Sequence, residues 1–188
     1  MLSEKEKKFL LGLARETLKD YLCKEEIKKP HGLSKIMEER RGVFVSLHEG
    51  KELRGCIGSL SPDEPLYTGV MKNAINAAVR DPRFRPVKLE DLDKLDVEIS
   101  VLSEPKELHF GSVKELMERL HPKKEGVIIS KWQYSATFLP QVWEHFFSKE
   151  EFLTSLCLKA GLPPDAWKDK ELKVYTYQAE VFRESEFK

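Results

Sequence analysis

The stretch Gly42-Val-Phe-Val-Ser-Leu-His-Glu-Gly-Lys-Glu-Leu-Arg-Gly-Cys-Ile-Gly-Ser59 decides the fold, because here the apolar pattern leaves helical spacing. Residues 42–48 and 53–59 are β-rich runs on either side of Glu49-Gly-Lys-Glu52, a hairpin signal. Upstream, Ser3 and Glu6 have capping-box spacing. Phe9, Leu10, Leu13, Ala14, Thr17, Leu18, Tyr21 and Leu22 then recur at helical intervals, predicting a long amphipathic helix that ends by Pro30-His31-Gly32. Downstream, after Ser61-Pro-Asp-Glu-Pro65, a second helix carries Leu66, Val70, Ala74, Ala77 and Ala78 on one face, and Asp81-Pro82 stops it. Val97, Ile99 and Val101 alternate with Glu98 and Ser100 and read as a strand.

The second half repeats this order. A linking helix starts at Ser112, with Glu115 in capping-box position. Residues 126–130 and 134–139 read as a hairpin closed by Lys131-Trp-Gln133. Ser148 caps a helix that runs to Lys159 and stops at Gly161, and residues 173–182 alternate as one long strand. The expected class is α+β: two duplicated β-β-α-β units, about 42–103 and 126–183, packed into one body with an extra N-terminal helix. No Gly/Ser linker separates the halves, so residues 1–188 are expected to form a single domain with a groove where the halves meet.

At 188 residues the chain buries about 70% of its unfolded surface and needs no staple. Charged residues make up 34%, with 32 basic against 32 acidic, so a broad electrostatic grip on nucleic acid or anionic membrane is not the default. The Lys and Glu excess hints at a thermophilic source. Three separated cysteines, Cys23, Cys56 and Cys157, fit no disulfide framework and no C-x-x-C site. The charged N-terminus lacks a signal peptide's apolar stretch, and no run reaches the roughly 20 apolar residues of a membrane span. The reading is a soluble, cytoplasmic protein.

Leu53-Arg-Gly-Cys-Ile-Gly58 is the first chemical candidate. Glycines within a strand mark a bulge or a close approach, and an arginine beside a thiol lowers its pKa and can grip an anion. A two-residue turn at Gly50-Lys51 sets Cys56 across from Val45 and Arg54 across from Leu47. On that register Cys56 is equally a buried core cysteine, and His48 points away from it. The second candidate is Arg80-Asp-Pro-Arg-Phe-Arg-Pro-Val-Lys88. It reads either as a phosphate or single-strand site stacking on Phe84, or as a helix end with Asp81 pairing an arginine. Gln141 at a helix start offers amide hydrogen bonds to a ligand, while Pro140 there is a first-turn proline. Lys159 sits in a last helical turn, where it can satisfy carbonyls. His31, His48, His109, His121 and His145 show no metal-ligand spacing, so no metal is assigned.

Taken in order, Gly42-Val-Phe-Val, Leu53-Arg-Gly-Cys-Ile-Gly, Asp81-Pro-Arg-Phe, Glu98-Ile-Ser-Val-Leu, Leu139-Pro-Gln-Val and Cys157-Leu-Lys-Ala-Gly-Leu-Pro resemble the AMMECR domain family over nearly the whole chain. The resemblance implies an α+β fold of two β-β-α-β repeats whose last strands are swapped. It implies motif positions at Arg54, Gly55, Cys56, Gly58, Asp81, Pro82, Arg83, Phe84, Gln141 and Lys159. It also implies association with Memo-type and radical-SAM proteins, and it supplies neither a reaction nor a cofactor.

Three readings follow. In the first the chain is an enzyme or enzyme accessory subunit, with an unknown small molecule in a cleft around Arg54 and Cys56. There Arg54 orients an anion and Cys56 is nucleophile or hydrogen-bonding partner, while Gly55, Gly58, Asp81, Arg83, Phe84, Gln141 and Lys159 are the further ligand-binding positions. The second is a non-catalytic module that docks a partner enzyme. The third is RNA or nucleotide binding through Arg80, Arg83, Arg85 and Phe84, which the balanced charge disfavours.

Overall fold

The computed structural model describes residues 1–187. Helix α1 spans Glu4–Cys23, and its start is the expected capping box: Ser3 Oγ accepts from Glu6 N–H while the Glu6 carboxylate accepts from Ser3 N–H. It ends before the proline, where Lys24 takes a left-handed conformation with φ 59°. An irregular segment and a one-turn helix α2 (Lys35–Glu38), absent from the sequence reading, lead to β1 (Val43–Glu49) and β2 (Glu52–Ser59). Helix α3 (Leu66–Val79) and β3 (Leu95–Leu102) follow, then β4 (Lys106–Glu107) and α4 (Val113–Arg119). The second hairpin is β5 (Gly126–Lys131) and β6 (Tyr134–Phe138), and its Trp132-Gln133 turn places Trp132 at φ 53°. A 3-10 helix, Pro140–His145, stands where a helix was expected. Then come α5 (Lys149–Lys159), capped by Ser148, and β7 (Lys173–Tyr177) with β8 (Ala179–Arg183).

The chain divides into two compact units, Met1–Leu102 with the residues from Glu180 onward, and Ser103–Ala179. The first holds a sheet of order β2-β1-β3-β8, the second a sheet of order β4-β7-β5-β6. The pairings β1–β2, β1–β3, β5–β6, β5–β7 and β4–β7 are antiparallel. Two expectations change here. Residues 173–182 do not form one strand: the run breaks at Gln178, and its two parts join different sheets. The strands β3 and β7 also stay with their own hairpins, so the exchange involves only the continuation strands, β8 beyond β3 and β4 beyond β7.

In the first unit Val43, Val45, Leu47, Val97, Ile99 and Val101 turn one sheet face into a dry core against α1 and α3. Strand alternation puts these odd-numbered side chains together, and Leu10, Ala14 and Leu18 of α1 meet them from a helical stripe. Asn73 of α3 is buried because its side-chain amide donates to the Val43 carbonyl, 3.1 Å away. The second unit packs Trp143 flat on Phe152, with ring centres 3.4 Å apart, and Trp143 Nε1 donates to the Glu125 carbonyl.

Of the glycines in the first unit, Gly55 is the most closely approached. A Cβ there would sit 2.1 Å from the Ala77 carbonyl oxygen, a backbone atom of α3 that cannot swing aside. Gly55→Ala is therefore expected to lower stability by about 3 kcal/mol through helix displacement. Urea unfolding checks this, and an unchanged midpoint would show that α3 moves freely.

Candidate functional site

The hairpin register differs from the regular one by a single bulge. Glu49 pairs with Glu52 and His48 with Leu53, but Leu47 then pairs with Gly55, leaving Arg54 as the extra residue. Cys56 consequently lies opposite Ser46, not Val45, and Gly55 takes the core-facing position opposite Leu47. This corrects two readings. Cys56 belongs to the sheet face of Ser46 and His48, away from the aliphatic core, and His48 shares its face instead of pointing away. The bulge had a signal in Gly55, since a glycine inside a strand marks such sites.

Register extends this face across the sheet. Ser46 is paired with Cys56 on one side and with Glu98 on the other. The Ser46 hydroxyl donates to Cys56 Sγ at 3.2 Å, and Arg183 of β8 donates its Nε to Glu98. Cys56, Ser46, Glu98 and Arg183 thus form one polar row over all four strands. His48 lies alongside, its Nε2 3.8 Å from Glu98 Oε1, buried and without a hydrogen-bond partner. Ser46 and Glu98 are each only 7% exposed, and Cys56 is half-buried.

The backbone of Cys56 is clamped from the other side. β2 is an edge strand, and its outward groups at Cys56 are taken up by the loop after α3. Cys56 N–H donates to Asp81 Oδ2 at 2.9 Å, and Arg83 donates from its terminal nitrogen to the Cys56 carbonyl at 3.3 Å. Asp81 and Arg83 are themselves joined by a two-point ion pair, 2.9 and 2.7 Å, with the Arg83 N–H on Asp81 Oδ1 as well. Arg83 lies over Phe84, 5.3 Å from the ring centre. An acceptor and a donor at β-ladder spacing do here what a neighbouring strand would do.

Arg54 does not activate the thiol. Its guanidinium donates to the Arg85 carbonyl at 2.6 Å and the Pro86 carbonyl at 3.5 Å. Burial pushes the Cys56 thiol above its ordinary pKa; the Ser46 hydroxyl and the Arg83 charge pull it down, and Glu98 and Asp81 push it up again. The expected depression is thus reversed, and Cys56 rests as a neutral thiol. Hydrogen bonds from Arg83 hold the Asp81 carboxyl well below the usual carboxylate range, against its burial. Burial raises Glu98, but the neighbouring His48 and Arg183 outweigh it and leave the carboxyl lowered.

Of the positions singled out from sequence, Cys56, Asp81 and Arg83 meet directly, with Phe84 beneath Arg83 and Gly55 and Gly58 flanking. Gly58 admits the Phe44 ring, which a Cβ would meet at 2.2 Å. The sequence carries no signal that marks Ser46, His48 or Arg183 as site residues, and it marks Glu98 only as a polar residue of an alternating strand. In the basic run, Arg83 is bound to Asp81 and Arg85 is 3.5 Å from Asp91. Gln141 and Lys159 belong to the second unit. Gln141 is exposed at the start of the 3-10 helix. Lys159 reaches past its own helix end, donating to the Thr137 carbonyl at 2.8 Å and lying over Phe138. Among the described residues no three His, Cys, Asp or Glu side chains gather as a metal site, and no helix is long and apolar enough to cross a membrane.

The chain as a whole is similar to known proteins. The AMMECR1 family model matches residues 11–182. Protein PYRAB00100 of Pyrococcus abyssi is 45% identical over 183 residues, covering 94% of this chain and 89% of that protein. Protein MJ0810 of Methanocaldococcus jannaschii is 40% identical over 189 residues, 99% and 94% of the two chains. The crystal structure of the uncharacterized protein PH0010 from Pyrococcus horikoshii superimposes with a TM-score of 0.84 at 43% identity, over 94% of this chain and 90% of that one. With a family match from the first helix to the last strand, and relatives this similar over almost their full length, the chain belongs to the AMMECR1 family.

Proposed function

We propose that the first unit carries a thiol-centred site for a small molecule, and that the chain works as an enzyme or as the accessory subunit of one. The observation that supports this best is the row Cys56–Ser46–Glu98–Arg183, with Cys56 clamped by Asp81 and Arg83. A sheet face needs no polar row for stability, and burying Ser46 and Glu98 has a cost that apolar residues would avoid. Cys56 is the ligand contact, a latent nucleophile or hydrogen-bonding group that waits as a thiol. Glu98 is the nearby fixed negative charge, and Arg183 compensates it. Arg54 closes the loop that carries Asp81 and Arg83, a positioning role in place of anion capture. The test is native mass spectrometry after incubation with a cytosolic metabolite extract. A small molecule retained by the wild type and lost in Cys56→Ala, at unchanged melting temperature, is the expected result. Equal retention by both proteins would remove Cys56 from the site.

The docking reading has its own support in the second unit, where Trp132 is 75% exposed at a hairpin tip and Phe147 is fully exposed. Partners of Memo or radical-SAM type belong to this reading. Loss of partner binding in Trp132→Ala with Phe147→Ala, but not in Cys56→Ala, would favour it over a ligand site.

Two further outcomes follow from the electrostatics. Because Cys56 is raised above the ordinary thiol value near 8.5, its alkylation by iodoacetamide should climb about tenfold per pH unit and show no plateau below about pH 9. Peptide mapping of the native protein reads this, and a plateau near pH 7 would mean an activated thiolate. Asp81 has a folded pKa below its unfolded one, so its stabilisation is present above about pH 4 and is lost as pH falls further. Asp81→Ala, which leaves the Cys56 N–H and Arg83 without their acceptor, is expected to cost about 2 kcal/mol at pH 7. It should flatten the acid limb of the urea-midpoint profile, whereas a parallel limb would place the acid sensitivity elsewhere.

A further inference from the structure

Helix α1 carries a notch that packing does not explain. Its i, i+4 ridge runs Lys8, Gly12, Glu16, Asp20, and nothing lies within 4 Å of where a Cβ on Gly12 would sit. Glycine in mid-helix is less stable than alanine, so a steric reason is expected and none is present. The neighbouring ridge of Phe9, Leu13 and Thr17 lines a groove of about 490 Å³, together with Ile27 and Pro30 of the segment that follows the helix. That volume falls in the roughly 300–1,000 Å³ range of small-molecule sites. The groove lies within the first unit and contains none of the residues around Cys56.

Its charges come from two sides. Lys8, Glu16 and Asp20 line it from the helix, and Lys28, Lys29 and His31 from the following segment. Lys8 is paired with Glu4 at 2.6 Å, and Lys29 lies over the Tyr67 ring at 6.0 Å. Glu16, Asp20 and Lys28 make no ion pair or side-chain hydrogen bond among the described residues. Opposite charges lining one groove without meeting leave an ammonium partner and a carboxylate partner over an apolar floor. We propose that this groove binds a small apolar zwitterion, of the class of a free amino acid with a large aromatic or aliphatic side chain. Its side chain lies in the Gly12 notch on Phe9 and Leu13, its ammonium group faces Glu16 and Asp20, and its carboxylate faces Lys28.

Calorimetry and thermal melts of the full chain with L-phenylalanine, phenethylamine and hydrocinnamate test both halves of the charge argument. L-Phenylalanine is expected to bind one to one, and each analogue, lacking one charge, at least tenfold more weakly. Gly12→Leu fills the notch and should abolish binding, while the surface change Lys28→Glu should weaken it at least tenfold in a folded protein. Gly12→Ala should raise the melting temperature of the free protein by about 2–4 °C. No binding of L-phenylalanine at about 10 mM, equal binding of the three compounds, undiminished binding in Lys28→Glu, or a lowered melting temperature in Gly12→Ala would each overturn the proposal.

Discussion

One buried carboxylate organises the first unit. Asp81, 5% exposed, takes the backbone N–H of Cys56, the backbone N–H of Arg83 and two nitrogens of the Arg83 guanidinium. These bonds join the end of α3 to the edge of β2, and they set the turn in which Phe84 N–H returns to the Asp81 carbonyl. A buried charge of this kind is tolerable only when fully paired, and removing either partner leaves the other unsatisfied. Gly55 belongs to the same constraint. The α3 backbone approaches β2 closely enough at Ala77 to place Asp81 beside Cys56, and only a residue without a Cβ permits that distance. The Leu-Arg-Gly-Cys-Ile-Gly and Asp-Pro-Arg-Phe runs, far apart in sequence, are two sides of one joint.

This explains what was legible in the sequence and what was not. The hairpins, capped helices and alternating β3 could be read because each is set by local periodicity, and the Ser3, Ser112 and Ser148 caps form as spaced. The polar face could not, because it depends on a single inserted residue. A regular ladder puts Cys56 over the aliphatic core, and the bulge at Arg54 moves it to the opposite face, beside Ser46. A one-residue slip in a period-two structure inverts every later assignment, including that of His48. The partner of Glu98 was equally hidden, since Arg183 arrives from a strand 85 residues later in the chain.

The thiol's protonation follows from the same bulge. Sequence adjacency points to Arg54 as the cation that lowers the Cys56 pKa, but as the bulged residue it turns its guanidinium onto the Arg85 and Pro86 carbonyls. The arginine that does act on the thiol is Arg83, and its charge is largely spent on Asp81. Burial then wins, with two carboxylates adding to it. The fold therefore holds Cys56 as a neutral sulfur, fixed by the Ser46 hydroxyl on one side and by the backbone clamp of Asp81 and Arg83 on the other.

The end of the chain is part of this arrangement. Arg183 and Glu184 are consecutive and serve opposite faces of the sheet. Arg183 turns to Glu98 on the polar face. Glu184 turns to α1, accepting from Arg15 and from the Val97 N–H at 3.0 Å, while Arg15 also donates to the Leu92 and Leu95 carbonyls at 2.6 and 2.7 Å. Each of the two charges meets a partner that is itself mostly buried or backed by backbone groups, so neither can be removed without leaving an uncompensated ion behind. Closure of the first sheet by β8 and compensation of the charge beside the thiol are thus the same event. Burial alone would raise the Glu98 carboxyl; His48 from β1 and Arg183 from β8 together outweigh it, so the charge state of the polar row depends on strands from both ends of the first unit's sequence.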